Sequence, residues 1–311
     1  MSATLEVDAV TKSFGRHVAV REVSFEVPGG SVCGFIGPNG AGKTTTMRIC
    51  ATLELPDRGD VRIDGRSALL DPRAVRGAVG FMPDSYGTYA ATTVAEYVDF
   101  FARAYGLRGK DRKRSLATVV DFTGLHPLLE KPIRGLSKGM KQRLCLAKTL
   151  LHDPRVLILD EPASGLDPRA RVELRELVRA LADMGKAVLV SSHILTELSE
   201  ICDSIAVIEG GEIKATGDIS ALSAGASGGT QVRARFLEGP ERAVRFLAQR
   251  PGVASLRDER SAVTFVFEGG DDALAELLAD AVREGLRPVE FHGEKIDLED
   301  LFLQLTKGIL Q

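Results

Sequence analysis

Nine residues, Gly37-Pro38-Asn39-Gly40-Ala41-Gly42-Lys43-Thr44-Thr45, constrain this chain more than any others. They fit Gly-x-x-x-x-Gly-Lys-(Ser/Thr), a phosphate-binding loop, and their surroundings suit that reading. Residues 31–36 before the loop read as a short apolar strand. Residues 45–53 after it read as a helix with Met47, Ile49 and Cys50 available for burial. The chemistry needs that order. Glycines let backbone N–H groups close around phosphate oxygens, and the new helix points its positive end at the same oxygens. Lys43 adds a full charge toward the β- and γ-phosphates, and the Thr44 hydroxyl can ligate Mg²⁺. A nucleoside triphosphate is the expected ligand.

With 44% hydrophobic and 27% charged residues, the 311-residue chain can pack one large domain or two. A formal net charge of −3 and the lack of a basic tail mean that nucleic acid is not expected as the main partner. Cys33, Cys50, Cys145 and Cys202 are scattered without a Cys-x-x-Cys pair and read as small buried side chains in a reducing compartment. The first ten residues include Glu6 and Asp8 and lack the apolar core of a secretory signal. No run approaches the roughly 18 apolar residues needed to span a bilayer, so a soluble, cytoplasmic chain is expected.

Residues 4–10 and 18–27 alternate as strands of an antiparallel flap, with Lys12-Ser13-Phe14-Gly15 as the turn between them. Strands are expected at 59–64 and 76–82, the second ending in Pro83-Asp84. In a helix over 93–105, Val94, Tyr97, Val98, Phe101 and Tyr105 recur at three- and four-residue steps. All four tyrosines (Tyr86, Tyr89, Tyr97, Tyr105) fall in this stretch with Phe100 and Phe101. Adjacent phenylalanines point about 100° apart on a helix, so one face cannot hold every ring. Part of the cluster is expected at an interface. The basic run at 110–114 reads as a solvated helix start or loop.

Ser137 is placed to cap a helix over 138–151, whose apolar face is Met140, Leu144, Ala147 and Leu151. Val156-Leu157-Ile158-Leu159 then forms a buried strand delivering Asp160 and Glu161 at its carboxyl end. Beside a phosphate loop, such acids are the expected metal and base site: Asp160 holds Mg²⁺ through water and Glu161 polarises the attacking water. A helix over 171–184 and a strand over 186–190 lead to Ser191-Ser192-His193, where ligands of an α/β sheet collect. A hairpin follows around Gly210-Gly211. The expected organisation is a cassette over 1–218, a linker of serine, alanine and glycine over 219–230, and an accessory domain over 231–311. The last reads as a split β-α-β arrangement of ferredoxin-like type, with a final helix at 298–305.

The phosphate loop, Leu136-Ser137-Lys138-Gly139-Met140, Leu159-Asp160-Glu161-Pro162, Ser164-Gly165-Leu166-Asp167 and His193 occur in the order found in ABC transporter ATP-binding subunits. Residues 1–218 resemble that family. The tail around Leu298-Glu299-Asp300-Leu301-Phe302-Leu303 resembles the extension of export-type subunits, drug-resistance exporters among them. The fold implied is an α/β P-loop NTPase cassette, with a parallel core sheet, an antiparallel β flap and a helical subdomain, plus a small C-terminal α+β ferredoxin-like domain.

The resemblance implies a homodimer with two ATP molecules, each with Mg²⁺, between head-to-tail copies. Phe14 would stack on adenine, and Gly37, Pro38, Asn39, Gly40, Ala41, Gly42, Lys43, Thr44 and Thr45 would wrap the phosphates. Ser137 and Gly139 of the opposite copy would close over the γ-phosphate. Asp167 would connect the two sites, and His193 would contact the γ-phosphate and hold the water in line. Closing and opening would drive a separate integral membrane permease, placing the chain at the cytoplasmic face of the membrane.

Two departures stand out. Lys138 and Met140 replace the usual glycine and glutamine of the signature. Asp84 stands where a glutamine normally reaches Mg²⁺; aspartate is one methylene shorter and charged, so its contact is either through water or lost, and it is kept as a candidate metal residue. The competing reading is a soluble ABC ATPase with a regulatory or nucleic-acid-linked role. Such proteins usually carry two cassettes, zinc modules or a coiled-coil insertion, and this chain has one uninterrupted cassette.

Overall fold

The computed structural model describes residues 3–85, 87, 89, 91–192, 198, 200–219, 222, 229–259 and 262–294. Tyr86, His193, most of the expected linker and the expected helix at 298–305 lie outside the described residues. The chain divides into two units, Met1–Gly217 and Asp218–Gln311.

In the first unit β1 (Ala3–Phe14) and β2 (His17–Pro28) pair antiparallel. Lys12, Ser13 and Phe14 belong to β1 rather than to the expected turn, which shrinks to Gly15-Arg16. Register shifts in the pairing absorb the extra residues as bulges and keep the polar positions in the ladder. The chain then crosses to a second sheet through β3 (Val32–Ile36), passes the phosphate loop and enters α1 (Lys43–Cys50). It returns through β4 (Arg58–Ile63) and β5 (Arg66–Ser67), completing the flap in the order β2-β1-β4-β5.

Residues 76–78, expected in a strand, instead finish α2 (Pro72–Ala78). The start signal explains the difference: Pro72 opens the helix and the Asp71 carboxylate accepts the Ala74 N–H at 3.2 Å. β6 (Val79–Met82) keeps only the apolar remainder.

Three packed helices follow, α3 (Val94–Ala104), α4 (Gly109–Phe122) and α5 (Lys138–Leu150). Thr93 and Glu96 start α3 as a reciprocal capping box. The chain then runs through β7 (Val156–Leu159), α6 (Pro168–Asp183), β8 (Ala187–Ser192), β9 (Ser204–Glu209) and β10 (Glu212–Asp218). Strand order in the second sheet is β10-β9-β3-β8-β7-β6, and β9 through β6 run parallel. β3, β7 and β8 are buried at every position, which is why they read as unbroken apolar runs rather than alternating ones. The carboxyl ends of β3, β6, β7 and β8 therefore share one rim of the sheet, where ligands of parallel α/β folds bind.

The second unit contains β11 (Thr230–Phe236), α7 (Pro240–Leu247), β12 (Val253–Glu259), β13 (Ala262–Phe267), α8 (Asp271–Arg283) and β14 (Pro288–Glu294). Its antiparallel sheet has the order β12-β13-β11-β14, the ferredoxin-like arrangement. Alternate residues Val232, Ala234 and Phe236 of β11 and Val263, Phe265 and Phe267 of β13 form one core with Ala243, Leu247, Leu277 and Ala281 of the helices.

Candidate active site

One open cleft of about 470 Å³ lies at that rim. It is lined by Phe14 and His17 at the tip of the flap, Lys43 and Thr44 at the start of α1, Asp84 after β6 and Glu161 after β7. Two glycines fix the loop beneath it. A Cβ on Gly37 would collide with the Ile208 carbonyl oxygen. Gly42 has φ 106°, and a Cβ there would stand 2.6 Å from the Ala19 carbonyl oxygen. Gly42 offers α1 no side-chain cap, and the first turn of α1 holds no acid. The N–H groups at that helix start are thus left for an anion.

Lys43 is 7% exposed. Its Nζ donates to the Gly37 carbonyl at 2.7 Å and to the Pro38 carbonyl at 3.2 Å. Burial draws its pKa below the ordinary 10.5, while the charges of Glu161 and then Asp160 oppose that shift. Both carboxylates are thus within electrostatic reach of the ammonium.

Asp160 is 2% exposed and extends the β6–β7 ladder by one bond, its N–H donating to the Met82 carbonyl at 2.8 Å. At Glu161 the backbone turns into the left-handed region, φ 49°. Ser191 of β8 donates its hydroxyl to Asp160 Oδ1 at 2.7 Å and accepts the Glu161 N–H at 2.8 Å. Buried Gln142 of α5 donates Nε2 to the Pro162 carbonyl at 2.5 Å, tying the helical region to the same strand end. Sequence reasoning singled out neither Ser191 nor Gln142 for these roles. The available signal was a hydroxyl ending the otherwise apolar strand Ala187–Ser192.

Ser137, Gly139 and Asp167 do not line the cleft. Ser137 caps α5, its Oγ accepting the Met140 N–H at 3.3 Å, and it is exposed. Gly139 abuts α6, where a Cβ would stand 2.9 Å from that of Ala170. Asp167 caps α6 by accepting the Ala170 N–H at 2.9 Å, and the Lys138 ammonium lies over Gly165. His193 lies outside the described residues. Among the described residues no group of three or more histidines, cysteines or acids forms a metal cage. Among the described residues, Thr44, Asp84 and Glu161 bring oxygens to the cleft, and Asp160 lies within electrostatic reach of Lys43. That set suits Mg²⁺, which takes one or two protein oxygens and completes its shell with phosphate and water.

The ABC transporter family matches residues 20–164. The ABC transporter ATP-binding protein YxlF of Bacillus subtilis is 35% identical over 303 residues, spanning 97% of this chain and 99% of that protein. This chain belongs to the ABC transporter ATP-binding proteins. A Nod factor export ATP-binding protein I of Paraburkholderia xenovorans is 34% identical over 314 residues, covering 99% of both chains. A solved ATP-binding subunit of an ABC transporter, 32% identical, aligns over 70% of this ABC protein and 91% of its own chain with a TM-score of 0.64. The ABC protein therefore binds nucleotide, and its activity is ATP hydrolysis coupled to transport. Among the described residues no helix is long and apolar enough to cross a membrane.

Proposed function

We propose that this ABC protein energises a membrane exporter from the cytoplasmic face, as two copies closing head to tail over two ATP molecules. The carrying observation is a division of labour. Phe14, Lys43, Thr44, Asp84 and Glu161 share one cleft, whereas Ser137, at the exposed start of α5, does not line it. A capped helix start is an anion site that a second copy can bring to the γ-phosphate. Half-exposed Phe14 stacks on adenine, and Lys43 exchanges loop carbonyls for phosphate oxygens. Glu161 orients and activates the water. Thr44 and Asp160 would hold Mg²⁺, with Asp84 beside them, and the bound metal would neutralise charge on the phosphoryl oxygens. Export is supported by the role of the Nod factor export relative. The pairing is tested by a short bis-maleimide acting on an Asn39→Cys, Ser137→Cys protein. Bridging between copies that needs ATP is expected, and absent or ATP-independent bridging overturns the arrangement.

The permease contact is proposed at the aromatic patch before and along α3. Tyr97 is buried and Phe101 packs on it at 4.8 Å, while Phe100 and Tyr89 remain exposed with rings 6.1 Å apart, edge to face. The segment thus spends one aromatic pair on its core and presents another, Tyr89 before the helix and Phe100 on it, outward. Buried aromatic anchors often carry about 2 kcal/mol or more at an interface, about 30-fold in affinity. The double variant Tyr89→Ala, Phe100→Ala is expected to keep basal ATPase activity and lose co-purification with the permease. Unchanged transport, or an unfolded isolated subunit, overturns this assignment.

The C-terminal region is proposed as a separately folding domain that supports dimerisation or permease assembly, because it has a core of its own. Truncation after Asp218 is expected to leave a folded cassette that binds a fluorescent ATP analogue with affinity within a few-fold of the full chain. A truncated protein that cannot fold or bind nucleotide places the boundary elsewhere.

A further inference from the structure

We infer that Ser191 is a positioning residue for hydrolysis, setting the carboxylate of Asp160 and the backbone of Glu161 through one hydroxyl. The inference rests on the roles proposed above for those two acids.

The register of the sheet creates the need. β7 and β8 pair in parallel up to Leu159 opposite Val190, and the described ladder between them stops there. Asp160 and Ser191 are the next residues on each strand. Beyond Asp160 the chain leaves the sheet, and Glu161 does so in the left-handed region, φ 49°, which is unfavourable for a residue with a Cβ. Its N–H points to the Ser191 oxygen at 2.8 Å. Ser191 itself is 0% exposed.

A hydroxyl has one hydrogen to donate and lone pairs to accept with. Here the lone pair is given to Glu161 and the hydrogen to Asp160 Oδ1 at 2.7 Å. The polarity follows from the amide, because an N–H can only donate, which leaves the hydroxyl hydrogen for the Asp160 carboxylate. Ser191 therefore fixes the rotation of the metal-side carboxylate and the backbone angle from which Glu161 reaches the cleft. Alanine at this position would remove both restraints. Partners standing one step behind metal ligands typically matter 10–100-fold in activity or metal affinity.

The test uses the full chain with four substitutions. Ser191→Ala is expected to lower kcat for ATP hydrolysis about 10–100-fold and to raise the Mg²⁺ concentration giving half-maximal rate. Affinity for a fluorescent ATP analogue without Mg²⁺ should stay within about twofold, since Lys43 and the phosphate loop are untouched. Ser191→Thr keeps the hydroxyl and should recover most of the rate. Ser191→Cys keeps a weak donor at similar size and should fall between them, which covers the case in which the alanine protein does not fold. Wild-type kcat and Mg²⁺ dependence in the alanine or cysteine protein overturns the inference. Equal losses in the alanine and threonine proteins also overturn it, by assigning the effect to packing. Glu161→Gln is the separating control: if it turns over normally, the reading of Glu161 fails and the inference falls with it. If it is inactive while Ser191→Ala is fully active, only the role of Ser191 fails.

Discussion

Glu161→Gln is expected to bind ATP normally and to hydrolyse it about 10²–10⁴-fold more slowly, the usual contribution of a positioned acid or base. The substitution is selective because Glu161 is held by its backbone. Its N–H donates to Ser191, a bond glutamine keeps, and the left-handed turn at φ 49° is retained. Cleft shape and the Lys43 contacts stay as they are, and what is lost is a carboxylate able to take a proton from water. With nucleotide bound and uncleaved, the closed pair should accumulate. Phosphate release gives the rate, and gel filtration with MgATP gives the shift from monomer to dimer. Near-normal turnover would reject Glu161 as the catalytic carboxylate.

Parts of this machinery were legible because local chemistry leaves few choices. The phosphate loop could be read from its glycines, and the structure gives the reason: Gly37 and Gly42 stand where a Cβ would meet the backbone of neighbouring strands. The strand Val156–Leu159 was visible as an apolar run because it is buried at every position. Other elements left weaker marks. α4 buries only Val119 and Val120 near its C-terminal end, so its charged first half carries no apolar stripe to betray a helix. The last three residues of α2 read as strand because the helix signal lies upstream of them, in Asp71 and Pro72. β1 hides its last three residues behind register shifts. The Ser191 bridge left no mark beyond a hydroxyl ending an apolar strand, because no spacing relates residue 191 to residue 160 until β7 and β8 pair in parallel. His193 and Tyr86, named from the sequence, lie outside the described residues.

Lys43→Ala should show the opposite pattern to Glu161→Gln, with nucleotide binding weakened and the fold kept. Lys43 is nearly buried, and among the described residues its ammonium is answered by the Gly37 and Pro38 carbonyls and, at a distance, by the charges of Glu161 and Asp160. Burial is the larger influence and holds its pKa below 10.5. Below its lowered folded pKa the lysine is charged in the folded and unfolded chains alike, so its desolvation is a cost to the fold. That cost is shed only as the pH rises from the lowered folded pKa toward 10.5, where the unfolded chain binds the proton more tightly. A triphosphate supplies the missing countercharge, and a hydrogen bond to a charged partner is worth about 1.5–3 kcal/mol. Removing it near the upper end weakens binding about 100-fold. At a ligand concentration of about 100 times the wild-type Kd, nucleotide stabilises the wild-type protein by about 2.7 kcal/mol, and the variant by only about 0.4 kcal/mol. Since 1 kcal/mol moves Tm by about 2–4 °C in a domain of about 150–250 residues, a wild-type shift of about 5–10 °C should shrink to about 1 °C. Without nucleotide, the variant should melt no more than a few degrees from wild type, because the buried charge leaves together with its two carbonyl bonds. A full ATP-induced shift in Lys43→Ala would remove this lysine from the phosphate site.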